Sequence, residues 1–248
     1  MLDLPEGITT CLFDLDGVLT QTAKVHAKAW KQMFDEYLRD RAQRTGEPFQ
    51  EFTVSGDYQQ YVDGKPRRDG VRSFLESRGI DLPLGTPGDS PEAETIYGLG
   101  LRKNDLVLKL IHDEGVEAYD GSVRFVECAR EQGLHTAVVS SSTNCRDVLV
   151  AAGIEQLFEA RIDGEVAERE HLAGKPAPDT FLAGARALGV EPAQCAVFED
   201  AEAGVEAGRA GHFGQVVGVD RTGHAEALRE HGADVVVQDL AELLNKSS

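Results

Sequence analysis

The sequence contains no run approaching the ~18 consecutive apolar residues needed for a membrane-spanning helix, so no such span is expected. Its first residues, MLDLPEGITT, lack a basic segment followed by an apolar one, so no secretory signal is read and a cytoplasmic location is expected. Cysteine is scarce. The four are Cys11, Cys128, Cys145 and Cys195, and their spacing matches no zinc or redox pattern. Cys11 and Cys195 lie in or beside apolar strand-like runs, which predicts buried, inert thiols. Positive charge is also short: 25 basic residues stand against 43 acidic ones, a net charge of -18. A field of that sign repels nucleic acid and anionic lipid, so neither is expected as a partner. It repels phosphorylated substrates as well. An anionic substrate would therefore need local cations and a metal to reverse the field.

What is present suffices for a substantial core. The chain has 248 residues, 41% of them hydrophobic, enough for one large domain or two smaller ones. Short apolar runs recur: Ile8–Phe13, His135–Val139, Gln194–Phe198, Gly214–Val219 and Ala233–Val237. Continuous apolar runs of this length predict strands buried on both faces of a parallel sheet. Helical patterns lie between them, near Ser122–Gln132, Asn144–Ala152, Pro178–Leu188, Glu202–Ala210 and His224–His231. Strand alternating with helix predicts a doubly wound, Rossmann-like α/β sheet, whose ligands bind beyond the carboxyl ends of the strands. Asp14, Ser140 and Asp200 stand at such ends.

Residues 23–115 read differently. They hold helical stretches at Val25–Arg44, Gly70–Ser77 and Lys103–His112, a Gly- and Pro-rich stretch at Leu82–Pro91, and no buried strand. The expected organisation is an α/β core of residues 1–22 and 116–248 with an inserted helical cap at 23–115.

Asp14-Leu15-Asp16-Gly17 closes the first strand. Extended backbone places Asp14 and Asp16 on one side. Two carboxylates that close suit a hard cation such as magnesium, or a nucleophile beside a general acid/base. Taken alone, the pattern fits a strand-ending Asx turn equally well. Its company distinguishes the two readings. Phe13–Thr20, Ser140 after its strand, Lys175 in Gly174-Lys175-Pro176-Ala177-Pro178-Asp179, and Glu199-Asp200 before Ala203-Gly204-Val205 occur in order. This set resembles the four motifs of the haloacid dehalogenase-like superfamily, over nearly the whole chain. The resemblance implies that Asp14 takes up a phosphoryl group and that Asp16 serves as acid and base. It also implies that Asp14, Asp16 through its main-chain carbonyl, Asp200 and Glu199 hold magnesium, while Ser140 and Lys175 hold phosphoryl oxygens.

The inserted segment sharpens the resemblance. Thr22 with Val25–Trp30, Gly64–Asp69, Arg102–Asp105, Ser140–Asn144 and Gly174–Asp179 resemble the β-phosphoglucomutases. This implies interconversion of β-D-glucose 1-phosphate and glucose 6-phosphate through glucose 1,6-bisphosphate. It implies substrate contacts from Thr22, His26, Arg67, Lys103, Asn104, Ser140, Ser142, Asn144 and Lys175, with His26 orienting Asp16 or touching the sugar. Trp30 is expected in the cap core. Gln21 replaces a common acidic residue, Gly174 a common serine, and the cap is longer than usual around Arg39–Tyr58 and Leu82–Leu99. The alternative is a magnesium-dependent sugar-phosphate phosphatase of the same superfamily. A monomer acting on a small-molecule sugar phosphate is expected in either case.

Overall fold

Apolar β-prone runs can bury both faces only if helices cover them, and the chain builds that arrangement. The computed structural model describes residues 2–62 and 65–244. Gly64, the first residue of the expected cap-loop motif, lies outside the described residues. The chain divides into two compact units, Met1–Thr22 with Val116–Ser248, and Ala23–Gly115.

Among the described residues the first unit holds six parallel strands: β1 (Thr10–Phe13), β2 (His135–Val139), β3 (Ala160–Ile162), β4 (Cys195–Glu199), β5 (Gln215–Val219) and β6 (Val235–Val237). Their order is β3-β2-β1-β4-β5-β6. The chain winds outward from β1 to β3 and returns to β4, beside β1. The order therefore reverses at β1 and β4, and their carboxyl ends open the crevice where such sheets bind ligands. Register places Phe13 opposite Phe198, one residue before the acidic loop that follows each strand. Beneath those loops Phe13 stacks on Phe198 at 4.6 Å, with Phe125 edge-on to Phe198 at 5.1 Å. Three rings in van der Waals contact give the loops an incompressible floor. Cys11 and Cys195 are fully buried in this sheet, and burial pushes both thiols up, Cys195 to about 11, so neither forms a thiolate readily.

The second unit is helical: α1 (Thr22–Thr45), a π-helical turn (Val54–Val62), α2 (Arg67–Ser77) and α3 (Ile96–Glu114). Its core is an aromatic stack. Trp30 lies 5.3 Å from Phe34, Phe34 4.2 Å from Phe74 and 5.1 Å from Phe52. The extra length around Arg39–Tyr58 is tied back by Asp35, which is buried, accepts from the Phe52 amide at 2.7 Å and pairs with Lys31 at 3.0 Å. The stretch Leu82–Pro91 returns onto the start of α3, where the amides of Ile96 and Tyr97 donate to the carbonyls of Pro83 and Leu84. Thr95 caps α3 by accepting from the Gly98 amide, which extends that helix seven residues ahead of the start read from periodicity.

The first unit continues with α4 (Asp120–Glu131), α5 (Cys145–Ala151), α6 (Gly164–Glu170), α7 (Asp179–Ala187), α8 (Glu202–Ala210) and α9 (Ala225–Glu230). The π-helical turn, β3 and α6 all escape the sequence reading. β3 has only three residues, Ala-Arg-Ile, too short for an apolar run. α6 buries no residue and owes its start to Asp163, whose carboxylate accepts from the Val166 amide.

Candidate active site

Asp14 follows β1 directly, and its amide donates to the Phe198 carbonyl at 2.9 Å, extending the β1–β4 ladder by one residue. The chain must then turn sharply. Gly17 supplies the turn with φ +83°, and a Cβ there would lie 1.8 Å from Asp200 Oδ2. Only glycine meets both demands. Gly204 makes a similar allowance for Glu199, whose Oε1 would lie 1.9 Å from an added Cβ. Each loop thus carries a glycine where a carboxylate passes.

The carboxylates of Asp14, Glu199 and Asp200 each present an oxygen within 4.8 Å of the others. Lys175 enters this cluster. Its Nζ donates to Asp14 Oδ1 at 2.5 Å, to Glu199 Oε1 at 2.5 Å and to the Val139 carbonyl at 3.3 Å. Burial alone would lower the lysine pKa, but the charges of Asp14 and Glu199 overcome it and hold Lys175 protonated. Asp14 moves the opposite way from an ordinary ion-pair partner. Burial pushes it up to about 8, Lys175 opposes this, and the charges of Glu199 and Asp16 reinforce it. Asp200 is raised by burial first, then by Glu199, Asp14 and Asp16. One ammonium therefore does not balance three clustered carboxylates, two of them buried. Hard oxygen donors with uncompensated negative charge are the donor set that suits magnesium. Glu199 has both oxygens engaged, since Oε2 also accepts from the Ala201 amide at 2.8 Å.

Asp16 stands apart from the three-carboxylate group. Thr22 Oγ1 bonds to Asp16 Oδ1, and Thr22 in turn meets Thr20 Oγ1 at 3.1 Å. At the end of β2, Ser140 is buried and its Oγ accepts from the Ser142 amide at 3.1 Å, while Ser142 Oγ accepts from the Asn144 amide at 3.1 Å. The sequence candidates Asp14, Asp16, Thr22, Ser140, Ser142, Asn144, Lys175, Glu199 and Asp200 thus all belong to the α/β unit, with Asp14, Ser140, Glu199 and Asp200 at strand ends and Lys175 in the loop between α6 and α7.

The remaining candidates belong to the helical unit. Arg67 opens α2 after Pro66; burial pushes its pKa down, opposed by the charge of Asp105. An added Cβ at Gly100 would touch Arg67 Cδ at 3.4 Å. Lys103 and Asn104 lie in mid-α3. Lys103 is buried; its Nζ meets His26 Nδ1 at 2.8 Å and lies 5.1 Å above the Trp30 ring. An ammonium only donates, so Nδ1 accepts and the neutral imidazole carries its proton on Nε2. Trp30 is packed in the aromatic core, as expected.

Two residues outside the motifs reach the acidic loops from the turn after β5. Arg221 Nε donates to the Gly17 carbonyl at 3.0 Å, and His224 Nε2 lies 2.9 Å from the Asp200 carbonyl. Nothing in their spacing announces this, because the partners are main-chain atoms of distant loops.

Comparison with known proteins agrees with this geometry. The haloacid dehalogenase-like hydrolase family matches residues 8–212. The chain is 59% identical to a β-phosphoglucomutase of Mycobacterium bovis, over 98% of this chain and 94% of that protein. It is 30% identical to a β-phosphoglucomutase of Bacillus subtilis, over 94% and 90% of the two. A crystal structure of β-phosphoglucomutase from Clostridium difficile superposes with a TM-score of 0.74 at 26% identity, covering 96% of this chain and 94% of that one. On fold, site and sequence together, the chain belongs to the haloacid dehalogenase-like hydrolases and, within them, to the β-phosphoglucomutase family.

Proposed function

We propose that the protein is a magnesium-dependent phosphotransferase that interconverts β-D-glucose 1-phosphate and glucose 6-phosphate by way of glucose 1,6-bisphosphate. The observation that carries this reading is Asp14. It sits at the reversal of strand order, bonded to Lys175 and beside Glu199 and Asp200, in a chain 59% identical to a β-phosphoglucomutase.

Asp14 acts as the nucleophile. A carboxylate oxygen bonds to phosphorus as the phosphorus–oxygen bond of the donor breaks, leaving an aspartyl-phosphate. Asp16 gives its proton to the leaving oxygen and later takes the proton of the sugar hydroxyl that accepts the phosphoryl group. In the forward direction the 6-hydroxyl of glucose 1-phosphate accepts, forming the bisphosphate. The bisphosphate then returns its C1 phosphoryl group to Asp14 and leaves glucose 6-phosphate. Thr22 orients Asp16 through its hydroxyl. Lys175 and Ser140 hold phosphoryl oxygens, with Ser142 and Asn144 shaping that loop. Asp14 and Asp200, with the Asp16 carbonyl and Glu199, would hold magnesium, which when bound offsets the mutual repulsion of carboxylate and phosphate. Arg67, Lys103 and Asn104 grip the phosphate that is not reacting, and His26 presents its Nε2 proton to the sugar. The helical unit serves as the cap, and the protein acts as a cytoplasmic monomer.

The test supplies β-glucose 1-phosphate with magnesium and a trace of glucose 1,6-bisphosphate and follows the reaction by phosphorus NMR. Growth of the glucose 6-phosphate signal is expected. Free phosphate as the sole product would replace the mutase reading with the phosphatase one.

A further inference from the structure

The turn after β5 contains two side chains that the phosphoryl-transfer chemistry does not use, yet both end on the acidic loops. Arg221 is largely buried, 14% exposed, with its guanidinium 3.6 Å above the Tyr119 ring. All three of its nitrogens are engaged. Nε donates to the Gly17 carbonyl at 3.0 Å. Nη1 donates to the Gln238 carbonyl at 2.7 Å and to Asp239 Oδ2 at 2.9 Å. Nη2 donates to the Val18 carbonyl at 3.4 Å and to Ser122 Oγ at 3.3 Å. A planar fork with five N–H groups suits this set of acceptors, whereas an ammonium would reach only some of them.

Three residues later, His224 reaches the other loop. A carbonyl can only accept, so His224 Nε2 donates to the Asp200 carbonyl at 2.9 Å. Its Nδ1 lies 2.8 Å from the Thr222 hydroxyl and 3.2 Å from Asp220 Oδ1. The turn itself is held by Asp220. Its Oδ1 accepts from the amides of Thr222, Gly223 and His224 at 3.2, 2.6 and 2.9 Å, and its Oδ2 from that of Ala225 at 3.2 Å. Burial pushes Asp220 up, but these amide donors outweigh it and keep the carboxylate charged.

We propose that the Asp220–His224 turn is a positioning element, in which Arg221 fixes the loop carrying Asp14 and Asp16 and His224 fixes the loop carrying Asp200. Gly17 needs such a hold. It is the most freely rotating residue in the site, and its Cα passes directly over the Asp200 carboxylate. A shift of about 1 Å in such a constellation costs on the order of 100-fold in rate. The proposal rests on Asp14 being the phosphoryl acceptor, and not on the identity of the sugar.

The test combines acetyl phosphate turnover with site-resolved amide exchange on Arg221→Met and His224→Leu. Arg221→Met is expected to lower kcat about 10- to 150-fold with KM little changed, the range for losing hydrogen bonds from a charged donor. It should speed exchange at Gly17, Leu19 and Thr20 and leave the β1 amides at wild-type rates. His224→Leu should speed exchange at Ala201, Gly204 and Val205 instead. Arg221→Lys should recover part of the lost kcat. Exchange rising evenly across the sheet, or kcat unchanged in folded Arg221→Met, would overturn the proposal by reducing these residues to general stabilisers. If Arg221→Met does not fold, Asp239→Asn takes its place, since asparagine still caps the final helical turn but loosens Arg221. The same loop-selective pattern is then expected, and wild-type exchange would overturn the proposal. Wild-type protein that fails to turn over acetyl phosphate would remove the phosphotransferase reading, with the exchange pattern still judging the positioning role.

Discussion

Each unit of the chain encloses a candidate lysine, and the two have different neighbours. In the α/β unit, Lys175 donates to two carboxylates at 2.5 Å each. In the helical unit, Lys103 donates to an imidazole nitrogen and lies over an indole face. The α/β unit gathers charge through topology, since parallel strands deliver their carboxyl ends, and the loops after them, to one edge. The helical unit has no such edge and sets Lys103 by packing against an aromatic stack. The first arrangement spends a cation on the protein's own anions.

The largest expected effect strikes the α/β side. Asp14→Asn should abolish turnover with the protein still folded by circular dichroism, because an amide does not accept a phosphoryl group. Wild-type activity in that variant would end the mechanism.

Next comes the charge balance itself. Lys175→Met removes the lysine that pairs with Asp14 and Glu199 and should cost roughly 3–5 kcal/mol of stability at pH 8, read by denaturant unfolding. Magnesium should act in the same direction as the lysine. Asp14 moves from an ordinary 3.8 to about 8 in the fold. Between those values the folded state binds more protons than the unfolded one, so stability falls as pH rises. In excess chelator the melting temperature should therefore drop from pH 5 to pH 8, and added magnesium should raise it most at pH 8. A magnesium effect independent of pH would show that the cation does not bind at these carboxylates.

A smaller effect is expected in the helical unit. Arg67→Ala should slow glucose phosphate interconversion by about 10- to 150-fold while barely changing acetyl phosphate hydrolysis, which has no distal phosphate to hold. Equal losses in both assays would remove Arg67 from that role. Smallest of all is Lys28→Ala. Lys28 pairs with Glu114, both more than half exposed, so its loss should change stability by less than ~1 kcal/mol. A larger change in the unfolding midpoint would contradict the contrast between buried and surface lysines.

Much of this was legible beforehand because parallel sheets write themselves plainly. Fully buried strands read as unbroken apolar runs, and the residue after each run is a site candidate by position alone. That logic reached Asp14, Ser140 and Asp200, and helix α8 was read at Glu202–Ala210, where it occurs. It failed for β3, whose three residues are shorter than any reliable run, and for α6, whose start depends on a cap rather than on apolar spacing. Arg221 and His224 were invisible for another reason. Their acceptors are backbone carbonyls, which every residue has, so no pattern of side chains marks them.

The order of elements, the buried strands, the acidic strand ends and the family resemblance followed from the sequence alone, since they depend on local periodicity and on short motifs read along the chain. Tertiary structure decided what those residues do to one another. Asp14 is raised although it is ion-paired, because burial and two neighbouring carboxylates outweigh Lys175. Glu199 turns to Lys175 and to the Ala201 amide, and Asp16 turns to Thr22. Such outcomes depend on distances of a few ångströms between residues far apart in the chain, where Coulomb and desolvation energies change steeply, and no spacing along a sequence encodes them.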